Sequence, residues 1–148
     1  MKNWFCFALL SAMIPAFAAE ENLALNKQVA ASSVEKASVE PEHAVDGNAK
    51  TRWASQFNDP QWFMVDLGSV KKVGRVVISW ERAYAKRYKI QLSTDQKHWK
   101  DVIVKNDGMG GKETLKFPQQ DARYVRFAGD SRGTWNGYSF WEFQVFEK

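Results

Sequence analysis

The sequence predicts an all-β protein, an antiparallel β-sandwich or jelly roll spanning residues 19–148. Three observations carry this. No stretch after residue 19 shows an apolar stripe at helical spacing. Short runs rich in Val, Ile, Phe, Tyr and Trp recur instead, punctuated by Gly, Asp, Asn and Pro. Seven or eight such runs fit within one domain's length, at the spacing of a sandwich.

The N-terminus stands apart from this pattern. Met1-Lys2-Asn3 supplies one positive charge, Trp4 to Phe17 is almost wholly apolar, and Ala16-Phe17-Ala18 is a small-x-small site. Residues 1–18 therefore read as a secretory signal peptide cleaved near Ala18/Ala19. The apolar run is too short to span a bilayer comfortably. The single cysteine, Cys6, lies before the apolar centre, far from the cleavage site, so it is no lipoprotein cysteine and leaves with the peptide. The mature module then has neither a disulfide framework nor a cysteine-rich metal cluster. Losing Lys2 takes the formal charge from +4 to +3. That is modest, and with export it argues against a nucleic-acid partner. With 21 aromatic residues and 26% charged residues, the composition is that of a globular chain. No second apolar run and no lipidation or wall-sorting tail follows. The expectation is an exported, soluble monomer, in the periplasm of a Gram-negative bacterium rather than in the medium.

The strands are expected in this order. Trp62–Leu67 comes first, then Val73–Trp80, then Tyr88–Ser93 with clean apolar–polar alternation. Trp99–Val104, Thr114–Phe117 and Tyr124–Phe127 follow. Phe140–Phe146 closes the chain, with Phe140, Glu142, Gln144 and Phe146 on one face and Trp141, Phe143 and Val145 on the other. Successive connections of an antiparallel sandwich fall at alternate ends. Connections 54–61, 81–87, 106–112 and 130–137 then share one end, and 68–72, 94–98 and 118–121 share the other. The first set is longer, and long loops on a rigid scaffold are where binding sits.

Several motifs occur in sequence. They are Asn22-Leu23-Ala24, Ala44-Val45-Asp46-Gly47-Asn48 with Thr51-Arg52-Trp53, and Gln61-Trp62 with Val65-Asp66-Leu67-Gly68. Tyr88 to Asp95 with Trp99, then Ala122-Arg123-Tyr124-Val125-Arg126, then Tyr138 to Val145 complete the set. Together they resemble the coagulation factor 5/8 C-terminal (discoidin) domain family. The bacterial branch, the family 32 carbohydrate-binding modules, is the better match, because many animal members join their termini by a disulfide that the mature chain cannot form. The resemblance implies a galactose-binding-domain-like jelly roll, in agreement with the strand count, and a non-catalytic sugar-binding role.

It also implies a structural calcium ion. Taken alone, Asp46-Gly47-Asn48 is an Asp-Gly turn. By resemblance, carbonyls of His43, Asn48, Thr51 and Trp141 and side-chain oxygens of Asp46, Thr51 and Glu142 would hold Ca2+, suiting its demand for many hard oxygens. The ion would clip the closing strand to an early loop. His43 and His98 are the only histidines, too few for a zinc site.

Sugar recognition needs a flat aromatic face and convergent polar groups. At the long-loop end, Trp135, Tyr84 and Tyr138 are candidate platforms, whereas Trp53, Trp62, Trp80, Trp99 and Trp141 lie in or beside strands and belong in the core. Arg82, Lys86 and Arg132 make that end cationic, Glu81 orients arginines or accepts hydroxyls, and Asn136 lies in the Arg132–Gly137 loop. Arginine forks onto planar carboxylates, so the expected ligand is an acidic, galactose-configured polysaccharide, polygalacturonate (pectin) or its oligosaccharides. Neutral galactose- or GlcNAc-type glycan binding is an alternative. Another is discoidin-type adhesion to anionic membranes or cell surfaces, with Trp135, Met109 and Phe57 as spikes. No nucleophile elbow, phosphate loop or zinc motif appears, so the chain is not read as an enzyme.

Overall fold

The structure, a computed structural model, describes Pro15 and residues 18–148. The remaining residues of the expected signal peptide, including Cys6, lie outside the described residues. The strands are β1 (Gln28–Ala31), β2 (Trp53–Ala54), β3 (Gln61–Trp80), β4 (Ala85–Ser93), β5 (Lys100–Lys105), β6 (Lys112–Arg132) and β7 (Ser139–Phe146). Two single 3-10 turns, Ala37–Val39 and Pro41–Ala44, precede β2. All strand pairs are antiparallel.

The expected runs 62–67 and 73–80 are two halves of one strand, β3, and the runs 114–117 and 124–127 are two halves of β6. β3 and β6 pair along their lengths, from Gln61↔Gly129 through Lys71↔Ala122 to Ser79↔Lys112, with register shifts after Asp66 and Val73. Segments 68–72 and 118–121 are therefore not reversing loops but the corner at which this ribbon folds over. Gly68, at φ 86, takes the left-handed conformation there, and its N–H donates to Asp66 Oδ1 at 2.8 Å. Arg123 forks onto Asp66 (2.9 and 3.1 Å) and Lys72 meets Asp121 (2.7 Å), fixing the bend. Folding the ribbon makes two layers. One contains β1, the first half of β3, the second half of β6, β4 and β5; the other contains β2, β7, the second half of β3 and the first half of β6.

The core lies between these layers and is aromatic at one end. The Phe140 ring is 5.0 Å from both Trp53 and Phe63, 5.5 Å from Trp80, 5.6 Å from Phe143 and 5.8 Å from Phe127. Most of these pairs are edge-on or tilted, the arrangement ring quadrupoles favour. β7 departs from simple alternation. Its pairing with β3 runs Ser79↔Glu142 and then Trp80↔Phe140, leaving Trp141 as an extra residue in a bulge. Phe140 and Phe143 consequently both point inward, against the expected split, and Trp141 turns out to a half-exposed position. Trp53 and Trp80 are core residues, as expected. Trp62 and Trp99 are not: Trp62 occupies an outward position on β3 and is 37% exposed, and Trp99, just before β5, lies beneath the Arg126 guanidinium at 3.8 Å. The chain start seals the end of β7, with Leu23 N–H donating to the Val145 carbonyl (2.8 Å) and Asn22 Oδ1 accepting from Val145 N–H (3.1 Å).

Because Phe140 touches rings from both layers, Phe140→Ala should remove a shared contact that neighbours cannot refill. The expected loss is about 3–5 kcal/mol of unfolding free energy, read from urea denaturation.

Candidate functional site

The segments around 54–57, 81–84, 108–111 and 133–137 meet at one end of the sandwich. Gly108 N–H donates to the Lys86 carbonyl (2.9 Å), Trp80 N–H to Gly111 (2.8 Å) and Gly133 N–H to Tyr84 (2.9 Å). This is the end that strand parity predicts, reached by folding the ribbon rather than by the expected turns. A pocket of about 200 Å³ opens among these segments, formed by Glu35, Arg52, Phe57, Glu81 and Arg82 around a floor of Ser55, Gly137, Tyr138 and Ser139. Its volume lies below the roughly 300–1,000 Å³ of drug-sized sites.

The floor is rigid backbone. Ser55 N–H donates to the Tyr138 carbonyl (2.8 Å), and Tyr138 N–H donates back to Ser55 Oγ (2.9 Å). Gly137 lies so close to this pair that a Cβ would stand 2.5 Å from both the Gln56 carbonyl and Ser55 Oγ. Arg52 Nη1 donates to Ser139 Oγ (2.8 Å), which in turn donates to the Trp53 carbonyl (2.8 Å), so the guanidinium is aimed by the closing strand. Glu35 comes from the loop before the 3-10 turns. That loop is pinned by Glu35 N–H to Ala54 O (2.8 Å), Trp53 Nε1–H to Ser33 O (3.0 Å) and Gln56 N–H to Ser33 Oγ (2.9 Å). Glu81 caps its own turn, accepting from Ala83 N–H at 3.2 Å. Among the described residues, neither Glu35 nor Glu81 is in a salt bridge. The pocket thus offers two carboxylates and two guanidiniums to a ligand. A shallower groove lined by Trp80, Trp141, Glu81 and Arg82 adjoins it.

An aromatic ledge flanks the pocket on the Phe57 side. The Trp135 ring meets Phe57 edge-on at 5.9 Å, and the indole is 79% exposed. Arg132 lies behind them: Nη1 donates to the carbonyls of Phe57 (2.7 Å) and Trp135 (3.1 Å), and Nε to Asp59 Oδ2 (3.2 Å). The other Asp59 oxygen accepts the Tyr138 hydroxyl, and burial raises that phenol's pKa well above its ordinary value.

On the flank of β7, Asp46 Oδ2 accepts the Thr51 hydroxyl at 2.6 Å, and that hydroxyl lies 3.1 Å from the Asn48 carbonyl and 3.5 Å from the His43 carbonyl. Glu142 is buried, and neither of its carboxylate oxygens has a hydrogen-bond partner. Burial first, and the adjacent Asp46 carboxylate second, push the Glu142 carboxyl up to about 8. Two orphaned buried oxygens facing a second carboxylate and several carbonyls fit a hard divalent cation, not a nitrogen- or sulfur-seeking one. Asp46, Glu142 and Thr51, with the carbonyls of His43, Asn48, Thr51 and Trp141, are the residues that would hold it.

The sequence profile of the NedA-like, galactose-binding domain matches residues 43–127. The chain belongs to this family. Among solved structures, chitosan-binding module 1 of a chitosanase/glucanase from Paenibacillus sp. IK-5 is 48% identical, with a TM-score of 0.83 over 85% of this chain and 98% of that one. Module 2 of the same enzyme, solved with chitotriose, is 45% identical, with a TM-score of 0.83 over 84% and 99%. A stretch of 89 residues is 37% identical to the polysaccharide lyase 8 family protein HylA of Enterococcus faecalis, covering 58% of this chain and only 6% of that protein. This member of the galactose-binding-like family is a carbohydrate-binding module of the family 32, discoidin-like type.

Of the residues expected to bind sugar in this module, Glu81, Arg82, Asn136 and Tyr138 line the pocket and Tyr84, Lys86, Arg132 and Trp135 do not. Tyr138 is no platform: its ring is fully buried against Phe127 at 5.6 Å. Tyr84 is wedged between Gly110 and Gly133, where a Cβ on either glycine would crowd its ring. Lys86 points to solvent from the start of β4, and Arg132 is engaged by the loops it holds. The sequence reading missed Glu35, Arg52 and Ser55, and named Phe57 only as a membrane spike. Arg52 was legible in principle, since the inward Trp53 forces its neighbour outward. Glu35 sits in a segment with no periodic signal.

Gly137→Ala should fold but distort the pocket floor, because the methyl must displace the Gln56 carbonyl or the Ser55 hydroxyl. The expected cost is about 1–3 kcal/mol. Amide shifts confined to residues 53–57 and 136–139 in NMR spectra would report it.

Proposed function

We propose that this module binds the glucosamine-type sugars of chitosan-like chains, seating one terminal ring in the pocket. The observation that carries the reading is the pair of carboxylates, Glu35 and Glu81, at its wall without ion partners. A free amino sugar brings an ammonium group, for which two acceptor-only side chains are the natural partners. Arg52, aimed by Ser139, faces ring hydroxyls as a fixed double donor. The 45–48% identity to modules described as chitosan-binding supports this reading. The uronate reading keeps one specific support, the presence of Arg52 and Arg82 in the same pocket, and makes polygalacturonate the comparison ligand.

Calorimetry with glucosamine oligosaccharides against oligogalacturonates of equal length separates the two. The expected result is measurable binding of the amino sugar that weakens as pH rises through the amine's pKa. Glu81→Gln and Glu35→Gln should each reduce it by about tenfold. Preferential binding of oligogalacturonate, undiminished in both variants, would overturn the amino-sugar reading in favour of the acidic one.

We also propose that the Asp46–Glu142 site takes calcium, in a stabilising role. One ion there would neutralise the buried Glu142 carboxylate and its partly buried neighbour Asp46, and tie β7 to the 43–51 loop. Adding calcium to chelator-treated protein should raise the melting midpoint by roughly 5–10 °C. In Glu142→Gln the increment should vanish while the fold, followed by circular dichroism, persists.

A further inference from the structure

The pocket is sized for one ring, yet a second, ordered aromatic surface stands beside it. The Trp135 indole, 79% exposed, and the Phe57 ring, 45% exposed, form one contiguous apolar patch at the pocket rim, the kind of surface that marks an interaction site. The indole contributes nothing to the core, and the sandwich closes without it. It is nevertheless not a loose side chain. Its ring packs edge-on against Phe57, and its carbonyl is tied through the Arg132 guanidinium to the Phe57 carbonyl and to Asp59. Asp59 is fixed in turn by the buried Tyr138 hydroxyl. Two loops are thus bolted together by one arginine.

The ledge is continuous with the pocket. Phe57 belongs to both: it lines the pocket and packs on Trp135. Asn136, the residue after Trp135, turns into the pocket while the indole stays outside. The Phe57 and Trp135 ring centres are 5.9 Å apart, about one sugar ring's width, so the neighbour of a ring seated against Phe57 is within reach of the indole. The C–H face of a pyranose packs on such a surface, as apolar rings do on one another.

We propose that Trp135, together with Phe57, forms a second sugar subsite that receives the residue adjoining the one in the pocket. This rests on the reading of the pocket as the seat of a terminal sugar. The consequence is length selectivity: a single amino sugar uses the pocket alone, and a di- or trisaccharide adds the ledge. Arg132 is a positioning residue, holding the ledge without contacting the sugar.

The test is calorimetry of glucosamine and its β-1,4-linked di- and trisaccharide with the full chain, Trp135→Ala, Trp135→Tyr and Glu81→Gln, supported by NMR of the indole N–H signals. In the wild type, affinity should rise with length, and the Trp135 indole signal should shift with trisaccharide but little with glucosamine. Trp135→Ala should bind glucosamine within about twofold of wild type and trisaccharide about fivefold more weakly. Trp135→Tyr should recover most of the loss, whereas Glu81→Gln should weaken all lengths alike. The subsite is overturned if Trp135→Ala matches wild type at every length, or if it loses glucosamine as heavily as trisaccharide. A wild-type protein that binds no amino sugar at any length overturns the pocket reading, and the subsite with it.

Discussion

The bulge at Trp141 sets the direction of every side chain that β7 contributes, and the rest of the molecule is arranged around that strand. One extra residue opposite Ser79–Trp80 lets Phe140 and Phe143 both enter the core. Without it, strict alternation would put Phe140 and Phe143 on opposite faces and send one of them to the surface. The same shift leaves Glu142 buried beside Asp46, and Ser139, just before it, under the Arg52 guanidinium. The core, the Asp46–Glu142 cluster and the Ser139 edge of the pocket floor therefore share one strand. Strain or slippage in this strand would reach all three at once.

The net positive charge of the chain and the chemistry of its pocket point in different directions, and the local arrangement decides function. Several cations at the loop end are engaged internally: Arg132 holds the ledge, and Lys105 lies within 4 Å of Asp107 and Glu113. Two carboxylates without ion partners remain at the pocket wall beside two guanidiniums. At short range in a partly enclosed site these groups outweigh distant surface charge, which salt screens over roughly 10 Å. Charge counted along a loop overestimates how much of it reaches a ligand, because arginine is as useful for binding carbonyls of its own chain as for binding anions.

The architecture was legible because its signals are periodic. Alternation in Tyr88–Ser93 and the apolar runs of 62–67 and 73–80 locate strands wherever one face is buried. Strand parity gathers the four long connections at one end even though two of the expected turns are a ribbon corner, since a fold and a turn both return the chain to the same end. Periodicity fails at a bulge, so the faces of β7 and the place of Trp141 were misread. It also fails at Glu35, whose position depends on hydrogen bonds from Trp53 and Gln56 to Ser33 rather than on any pattern of its own. Tyr138 and Tyr84 look like platforms in the sequence because aromatic identity does not reveal exposure. The glycines at 110, 129 and 133 allow these rings to sink inward, and that is a property of packing across the loops.

A shallow site of this kind has little apolar area to offer, so what it gains must come from order already present before the ligand arrives. The loops meet this condition by unusual means. Their side chains hold the backbone as well as one another: Arg132 bridges the Phe57 and Trp135 carbonyls, Ser139 links the Arg52 guanidinium to the Trp53 carbonyl, and Ser55 exchanges hydrogen bonds with the Tyr138 backbone. Backbone held this way fixes a side chain's starting point while leaving its tip free for the ligand. Among the described residues, the Glu35 carboxylate and the exposed Trp135 indole are left without a hydrogen-bond partner, and Glu81, which caps its own turn, stands without an ion partner.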